Sequence, residues 1–221
     1  MCGRYTLATS VDELARQFEI GEYPASIPPS YNVAPTQNIA AVVAEGEARK
    51  LEMLRWGLVP SWADDPEIGA RMINARSETV AEKPSFRKAF RERRCLILAD
   101  GFYEWRRMES GKQPYYIRMK DERPFAFAGL WESWGRDGDE VRSCAILTTE
   151  PNGLVRGIHN RMPVILPPEN YPLWLDHDFD EREALESILE SYPAGEMEAY
   201  PVSRAMNSPS HDVPGCIKPA A

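Results

Sequence analysis

The chain has 221 residues, 43% hydrophobic and 27% charged, with a formal net charge of −8 at pH 7. That length and balance are ordinary for a globular protein and predict one domain, residues 2–221, or at most two small ones, with a sizeable core. No apolar run approaches the ~18 residues of a membrane span and no leader-like pattern opens the chain, so a cytoplasmic protein without a membrane partner is expected.

Met1-Cys2-Gly3-Arg4-Tyr5 opens the sequence. Removal of Met1 would leave Cys2 with an α-amine and a thiol two bonds apart, a 1,2-aminothiol. The amine condenses with an aldehyde to an imine, and the thiol then closes an unstrained five-membered thiazolidine. With pKa values near ~8 and ~8.5, both groups are partly nucleophilic at neutral pH. Ser10 and Glu13 form a capping box, predicting a short helix with Leu14, Phe18 and Ile20 as apolar positions. The proline-rich stretch Tyr23–Gln37 reads as an irregular loop. Ile39–Ala44 and Leu51–Trp56 read as a hairpin turning at Glu45-Gly46-Glu47. Trp56–Trp62 leads into a loop carrying Asn74-Ala75-Arg76.

Ser85–Arg93 reads as a basic helix before the β-rich run Cys95–Ala99. Between Arg71 and Arg94 basic residues outnumber acidic ones, whereas 171–200 is strongly acidic. The basic stretch is either a phosphate footprint or a solvated helix face. Gly101–Arg107 and Pro114–Lys120 flank a turn at Glu109-Ser110-Gly111-Lys112. Phe125–Trp131 and Val141–Thr149 continue the β pattern, and Glu181–Leu189 reads as a helix. These elements predict an α+β fold: a single domain with a mostly antiparallel, strongly curved, barrel-like sheet and short marginal helices. Four widely spaced cysteines without a C-x-x-C pair read as free thiols, with Cys95 and Cys144 in the core.

Glu104 stands among large aromatics in Asp100-Gly101-Phe102-Tyr103-Glu104-Trp105. A carboxyl held in an apolar setting titrates high and exchanges protons near neutrality; on an edge strand it would simply face solvent. His159 lies in Gly157-Ile158-His159-Asn160-Arg161-Met162-Pro163, followed by an arginine and a rigidifying proline. Asn74 adds an amide. These three with Cys2 would form a site if the fold gathered them.

The blocks Cys2–Tyr5, Tyr31–Pro35, Trp56–Trp62, Ile73–Glu78, Ala99–Trp105 and Ile158–Pro163, in that order, resemble the SRAP family. These are the SOS-response-associated peptidases, also called abasic-site processing proteins, and the likeness runs from Cys2 to Val202-Ser203. The resemblance implies covalent capture of abasic sites in single-stranded DNA, shielding the lesion during the DNA damage response. It makes Cys2 the crosslinking residue and Asn74, Glu104 and His159 the other active-site positions. Arg4, Arg76 and Arg161 are then the expected phosphate contacts, and Pro35 and Trp62 the surfaces for flanking bases. On this reading the protein is an enzyme with an AP-lyase side activity, a monomer, nucleoid-associated in a bacterium, and needs no metal or cofactor. The competing expectation is an N-terminal-nucleophile or cysteine peptidase, a hydrolase with Cys2 as nucleophile and His159 as base, whose activity would include removal of Met1. A third is a module that holds single-stranded DNA without bond formation.

Overall fold

A computed structural model describes residues 2–46, 48–109, 111–136 and 139–220. Met1 and the tips of two expected turns, Glu47 and Ser110, lie outside them. The described residues form strands β1 (Tyr5–Leu7), β2 (Ser30–Val33), β3 (Asn38–Glu45), β4 (Ala48–Trp56), β5 (Asn74–Arg76), β6 (Arg94–Ala99) and β7 (Gly101–Met108). They continue with β8 (Gly111–Met119), β9 (Phe125–Arg136), β10 (Asp139–Thr149), β11 (Met162–Pro163), β12 (Ile165–Leu166) and β13 (Met197–Pro201). Four short helices accompany them: α1 (Val11–Gln17), α2 (Arg87–Glu92), α3 (Tyr171–Leu175) and α4 (Arg182–Ser187).

Strands β3, β4, β6, β9 and β10 pair around a closed ring. β3 lies antiparallel between β4 and β6, β6 pairs β9, β9 pairs β10, and β10 returns to β4 in parallel. Closure leaves no edge along this circuit and fills the interior with Ala, Val, Ile and Leu side chains. β5 and β11 extend β10, and β12 extends β9. A second sheet has the order β13-β8-β7-β1-β2. Edge-to-face rings join the two: Tyr5 meets Trp56 at 5.4 Å and Phe127 at 5.9 Å, and Phe102 meets Phe127 at 6.0 Å. Each such side chain contributes about 1.5–3 kcal/mol when fully buried. The α+β, mostly antiparallel, barrel-like architecture read from the sequence is the one observed.

The N-cap forms as read, with the Ser10 hydroxyl accepting from Glu13 N at 3.4 Å. Two expectations are corrected. Ser30–Val33 is not loop but an edge strand, paired to β1 with Pro28, Pro29 and Pro35 outside the paired residues; proline is tolerated beside an edge strand because the missing N–H removes no ladder bond. Asn74–Arg76 is likewise strand rather than loop, running parallel to β10 with Ile146 opposite Asn74.

The basic stretch around α2 is mostly neither footprint nor solvated face at its C-terminal end. Arg94 is fully buried, and its guanidinium donates to the carbonyls of Trp174, Phe90, Arg91, Asp176 and Phe179. Burial pulls its pKa down to about 10. Arg93 pairs with Glu132 and Arg91 with Glu92.

Candidate active site

Cys2 is placed by β1. Its strand pairs with β7 through Tyr5↔Phe102 and Thr6↔Gly101, and Tyr103 N donates to Arg4 O at 3.0 Å. Continued toward the N-terminus, that register sets Cys2 and Gly3 alongside Glu104 and Trp105. Three residues is a short strand, and side chains hold it from both ends. The Asp100 carboxylate accepts from Ala8 N at 2.5 Å, Thr9 N at 3.1 Å and the Thr9 hydroxyl at 2.7 Å. The hydroxyls of Thr6 and Tyr116 share a hydrogen bond of 2.8 Å. The Tyr116 ring lies so close that a Cβ on Gly101 would sit 2.4 Å from it, so no other residue fits there. Arg4 anchors the start: its guanidinium donates to Asn32 Oδ1 at 2.8 Å, Met206 O at 3.1 Å and Asn207 O at 3.3 Å.

The other three residues converge on this strand. Asn74 Nδ2 donates to Cys2 O at 2.8 Å, across 72 residues of sequence. Asn74 Oδ1 is buried and has no hydrogen-bond partner among the described residues. Glu104 is buried in β7, an internal strand between β1 and β8, not an edge strand. Burial pushes its carboxyl above the usual range, opposed by His159 across from it. His159 Nδ1 lies 3.8 Å from Glu104 Oε1. His159 follows a 3-10 turn at Val155–Gly157, with its own N–H on Val155 O at 2.9 Å. His159 Nδ1 faces both backbone groups of Arg161, the N–H at 3.1 Å, from which it would accept, and the carbonyl at 3.2 Å, to which it would donate; the two bonds belong to opposite tautomers.

The Cys2 thiol is wholly buried, in weak contact with Arg4 O at 3.8 Å. Burial first, and then the Glu104 carboxylate, push it up. The carboxyl and imidazole open onto a cleft of ≈ 780 Å³ whose walls also include Trp105, Arg107, Lys112 and Asn207. The sequence reading assigned no role to these four. Trp105 closes one of the recognised blocks, and its Nε1 donates to Asn207 Oδ1 at 2.8 Å. The charged pair gave no pattern signal, but Arg107 and Lys112 stand directly opposite one another in the β7–β8 hairpin.

The expected DNA contacts divide. Arg76 is exposed on β5, while Arg4 is half-buried and engaged as above. Arg161 is held by both carboxylate oxygens of Glu78 and donates to Thr148 O at 2.5 Å. Trp62 is 55% exposed on the loop after β4, and Pro35 is half-buried after β2; neither lines the cleft. Among the described residues no three His, Cys, Asp or Glu side chains converge to hold a metal ion, and no helix is long and apolar enough to cross a membrane.

Comparison with known proteins gives a consistent result. The family described as SOS response associated peptidase (SRAP) matches residues 1–209. The chain is 47% identical over 222 residues to abasic site processing protein YoqW of Bacillus subtilis, covering 99% of each. It is 31% identical over 225 residues to abasic site processing protein YedK of Escherichia coli, covering 99% of this chain and 100% of the relative. A crystal structure of a protein from Bacteroides thetaiotaomicron superposes over the whole of both chains, with a TM-score of 0.90 at 27% identity.

Proposed function

The chain belongs to the SRAP family, and from that premise we propose that it processes abasic sites in single-stranded DNA by bonding to them covalently through Cys2. The observation that carries this reading is the convergence of Cys2, Asn74, Glu104 and His159 from four separate parts of the sequence, with Glu104 and His159 lining an open cleft. The names of the relatives, abasic site processing proteins, supply the substrate class.

With Met1 attached the Cys2 nitrogen is a peptide nitrogen and cannot attack. Once Met1 is removed, the α-amine adds to the open-chain aldehyde of the abasic deoxyribose. The carbinolamine loses water to give an imine. The thiol sulfur then adds to the imine carbon and its proton passes to the nitrogen, closing the thiazolidine. Glu104 is suited to move these protons, because a carboxyl that titrates high can both give and take one near neutrality. His159, with Nδ1 engaged by the Arg161 backbone, keeps Nε2 for the sugar and for ring opening. Asn74 holds the Cys2 carbonyl with one end of its amide, and its unpartnered oxygen is an acceptor for the freed amine. β-Elimination from the imine would cleave the strand, so lyase activity is the side reaction that ring closure suppresses. The reaction needs no metal or cofactor.

The family's description as a peptidase suggests a thiolate nucleophile instead. Against that, burial and the neighbouring carboxylate push the Cys2 thiol up, away from thiolate formation. A denaturing gel of Met1-processed protein with single-stranded DNA carrying one abasic site separates the readings. A shifted band that survives denaturant supports crosslinking, and its absence sinks the proposal. The same protein retaining Met1 should give no band.

A further inference from the structure

β5, β10 and β11 lie side by side, β5 parallel to β10 through Thr148↔Arg76 and β11 antiparallel through Thr148↔Pro163. They carry the two arms of the site on opposite flanks. Asn74, which holds Cys2, is on β5; His159 and Arg161 immediately precede β11. Pairing with β10 fixes the strands but not the His159 loop, which hangs beyond the last ladder position. One side chain spans that gap. Glu78, in the 3-10 turn Ser77–Thr79 that ends the β5 arm, grips both terminal nitrogens of Arg161, one of them at 2.9 Å. The same guanidinium donates to Thr148 O at 2.5 Å on the strand between. The Arg161 backbone in turn meets His159 Nδ1 with its N–H at 3.1 Å and its carbonyl at 3.2 Å.

We propose that Glu78 is a positioning residue for the covalent capture: through the Arg161 fork it locks the orientation of the His159 imidazole against the arm that carries Asn74 and Cys2. The inference rests on the function proposed above. A two-pronged carboxylate–guanidinium contact fixes a plane as well as a distance, which a lysine or a single hydrogen bond would not. The Arg161 side chain is 15% exposed and that of Glu78 46%, so the arginine is the embedded member and the glutamate the brace applied from outside. The guanidinium holds the Glu78 carboxyl below its usual range, so the brace stays ionised at neutral pH. Without it, Arg161 keeps its Thr148 contact but loses the constraint on its plane, and the residue before β11 is free to swing.

Two measurements decide it. The first needs no DNA: the imidazole nitrogens of His159 are followed by long-range proton–nitrogen spectra in wild type, Glu78→Ala and Glu78→Gln, with His159→Gln to assign the signals. Wild type should show a single set of His159 ring signals; Glu78→Ala should show a shifted or multiple set, and Glu78→Gln, whose amide oxygen still accepts from Arg161, an intermediate state. Unchanged His159 signals in Glu78→Ala overturn the proposal. The second is the rate of adduct formation at saturating abasic DNA. Glu78→Ala should slow it by roughly ten- to a hundredfold, the scale of a small misplacement of a reacting group, with no loss of DNA affinity and partial rescue by Glu78→Gln. In a His159→Gln background, Glu78→Ala should add nothing further, because it acts through that ring. A fully additive loss would mean a general structural role and overturn the proposal. If wild type itself forms no adduct, the function proposed above fails, and the spectra still decide the role of Glu78.

Discussion

Asn32 is the residue whose truncation should cost the site most without touching the reacting groups. It is 1% exposed, and its Oδ1 accepts from the Arg4 guanidinium at 2.8 Å. Its Nδ2 faces three carbonyls, Met206 O at 2.9 Å, Ser208 O at 2.9 Å and His211 O at 2.8 Å. An amide nitrogen has only two hydrogens, so these amount to two full bonds shared among three acceptors. At about 1 kcal/mol for each neutral bond and about 1.5–3 kcal/mol for the one to Arg4, Asn32→Ala should lose roughly 3–5 kcal/mol. The measurement is urea unfolding, with the midpoint falling at unchanged m. Asn32→Asp should not rescue it. The carboxylate would keep Arg4 but oppose three carbonyl oxygens with no hydrogen to offer. Because Asn207 lies in the same C-terminal segment and receives Trp105 Nε1, limited proteolysis should show early cleavage near residues 204–213 in both variants. A loss below about 1 kcal/mol for Asn32→Ala would refute the idea that this amide clamps the segment beside the cleft.

Cys2→Ala should form only a reversible imine that borohydride traps, and Cys2→Ser should do little better, since a hydroxyl closes the ring less favourably than a thiol; a durable adduct from either without reductant would exclude the thiazolidine. Glu104→Gln should bind abasic DNA normally but form the adduct slowly, and a wild-type time course would remove Glu104 from the chemistry. The same variant has a pH signature in stability. A carboxyl raised by folding binds its proton more tightly in the native state, so its contribution is favourable below the unfolded pKa of ~4.3 and is lost as pH rises through the raised native value. Glu104→Gln should therefore gain in urea midpoint over wild type as pH rises through that window, and a gap that stays flat or reverses would contradict the burial penalty. Arg76→Ala should lower the slope of log affinity against log salt for single-stranded DNA by ~0.7, the value of one released phosphate contact. Arg161→Ala should lower it only if a phosphate displaces Glu78, and an unchanged slope for Arg76→Ala would move the strand's path elsewhere.

Local signals in the sequence located local structure. Ser10 and Glu13 mark α1 because a cap is made within one turn, and the hairpins β3–β4 and β7–β8 announce themselves because their partners adjoin. What escaped is what pairs at a distance. The barrel closes where Ser143 meets Arg55 in parallel, and nothing near either residue encodes the other. β5 is three residues long, too short for an alternating pattern, and exists because β10 offers it an edge. α3 and β13 went unread for a similar reason: α3 packs under Arg94, and β13 joins β8 only after the chain has crossed both sheets. The site shows the same division. Cys2, Asn74, Glu104 and His159 were legible as types of chemistry carried by recognisable blocks. An arginine in such a block, however, reads identically whether it meets a phosphate or a carbonyl. Arg4 binds its own chain and Arg161 binds Glu78, distinctions that only the folded geometry supplies.

The site is also where the fold tolerates its least favourable arrangements. A carboxyl sits 2% exposed with its proton affinity raised, a thiol is wholly buried, and an amide oxygen of Asn74 is buried without a partner among the described residues. Burying polar groups without full compensation costs on the order of 1–3 kcal/mol each. A three-residue strand could not hold them by ladder bonds alone. It is held instead by side chains that play no part in the proposed chemistry: Asp100 at one end, Tyr116 over Gly101 in the middle, and the Arg4–Asn32 pair at the other. The division of labour leaves the buried Asn74 oxygen without a partner among the described residues, and so open to the freed amine in the function proposed above. The clamps carry the strand, and that oxygen is not needed to hold it.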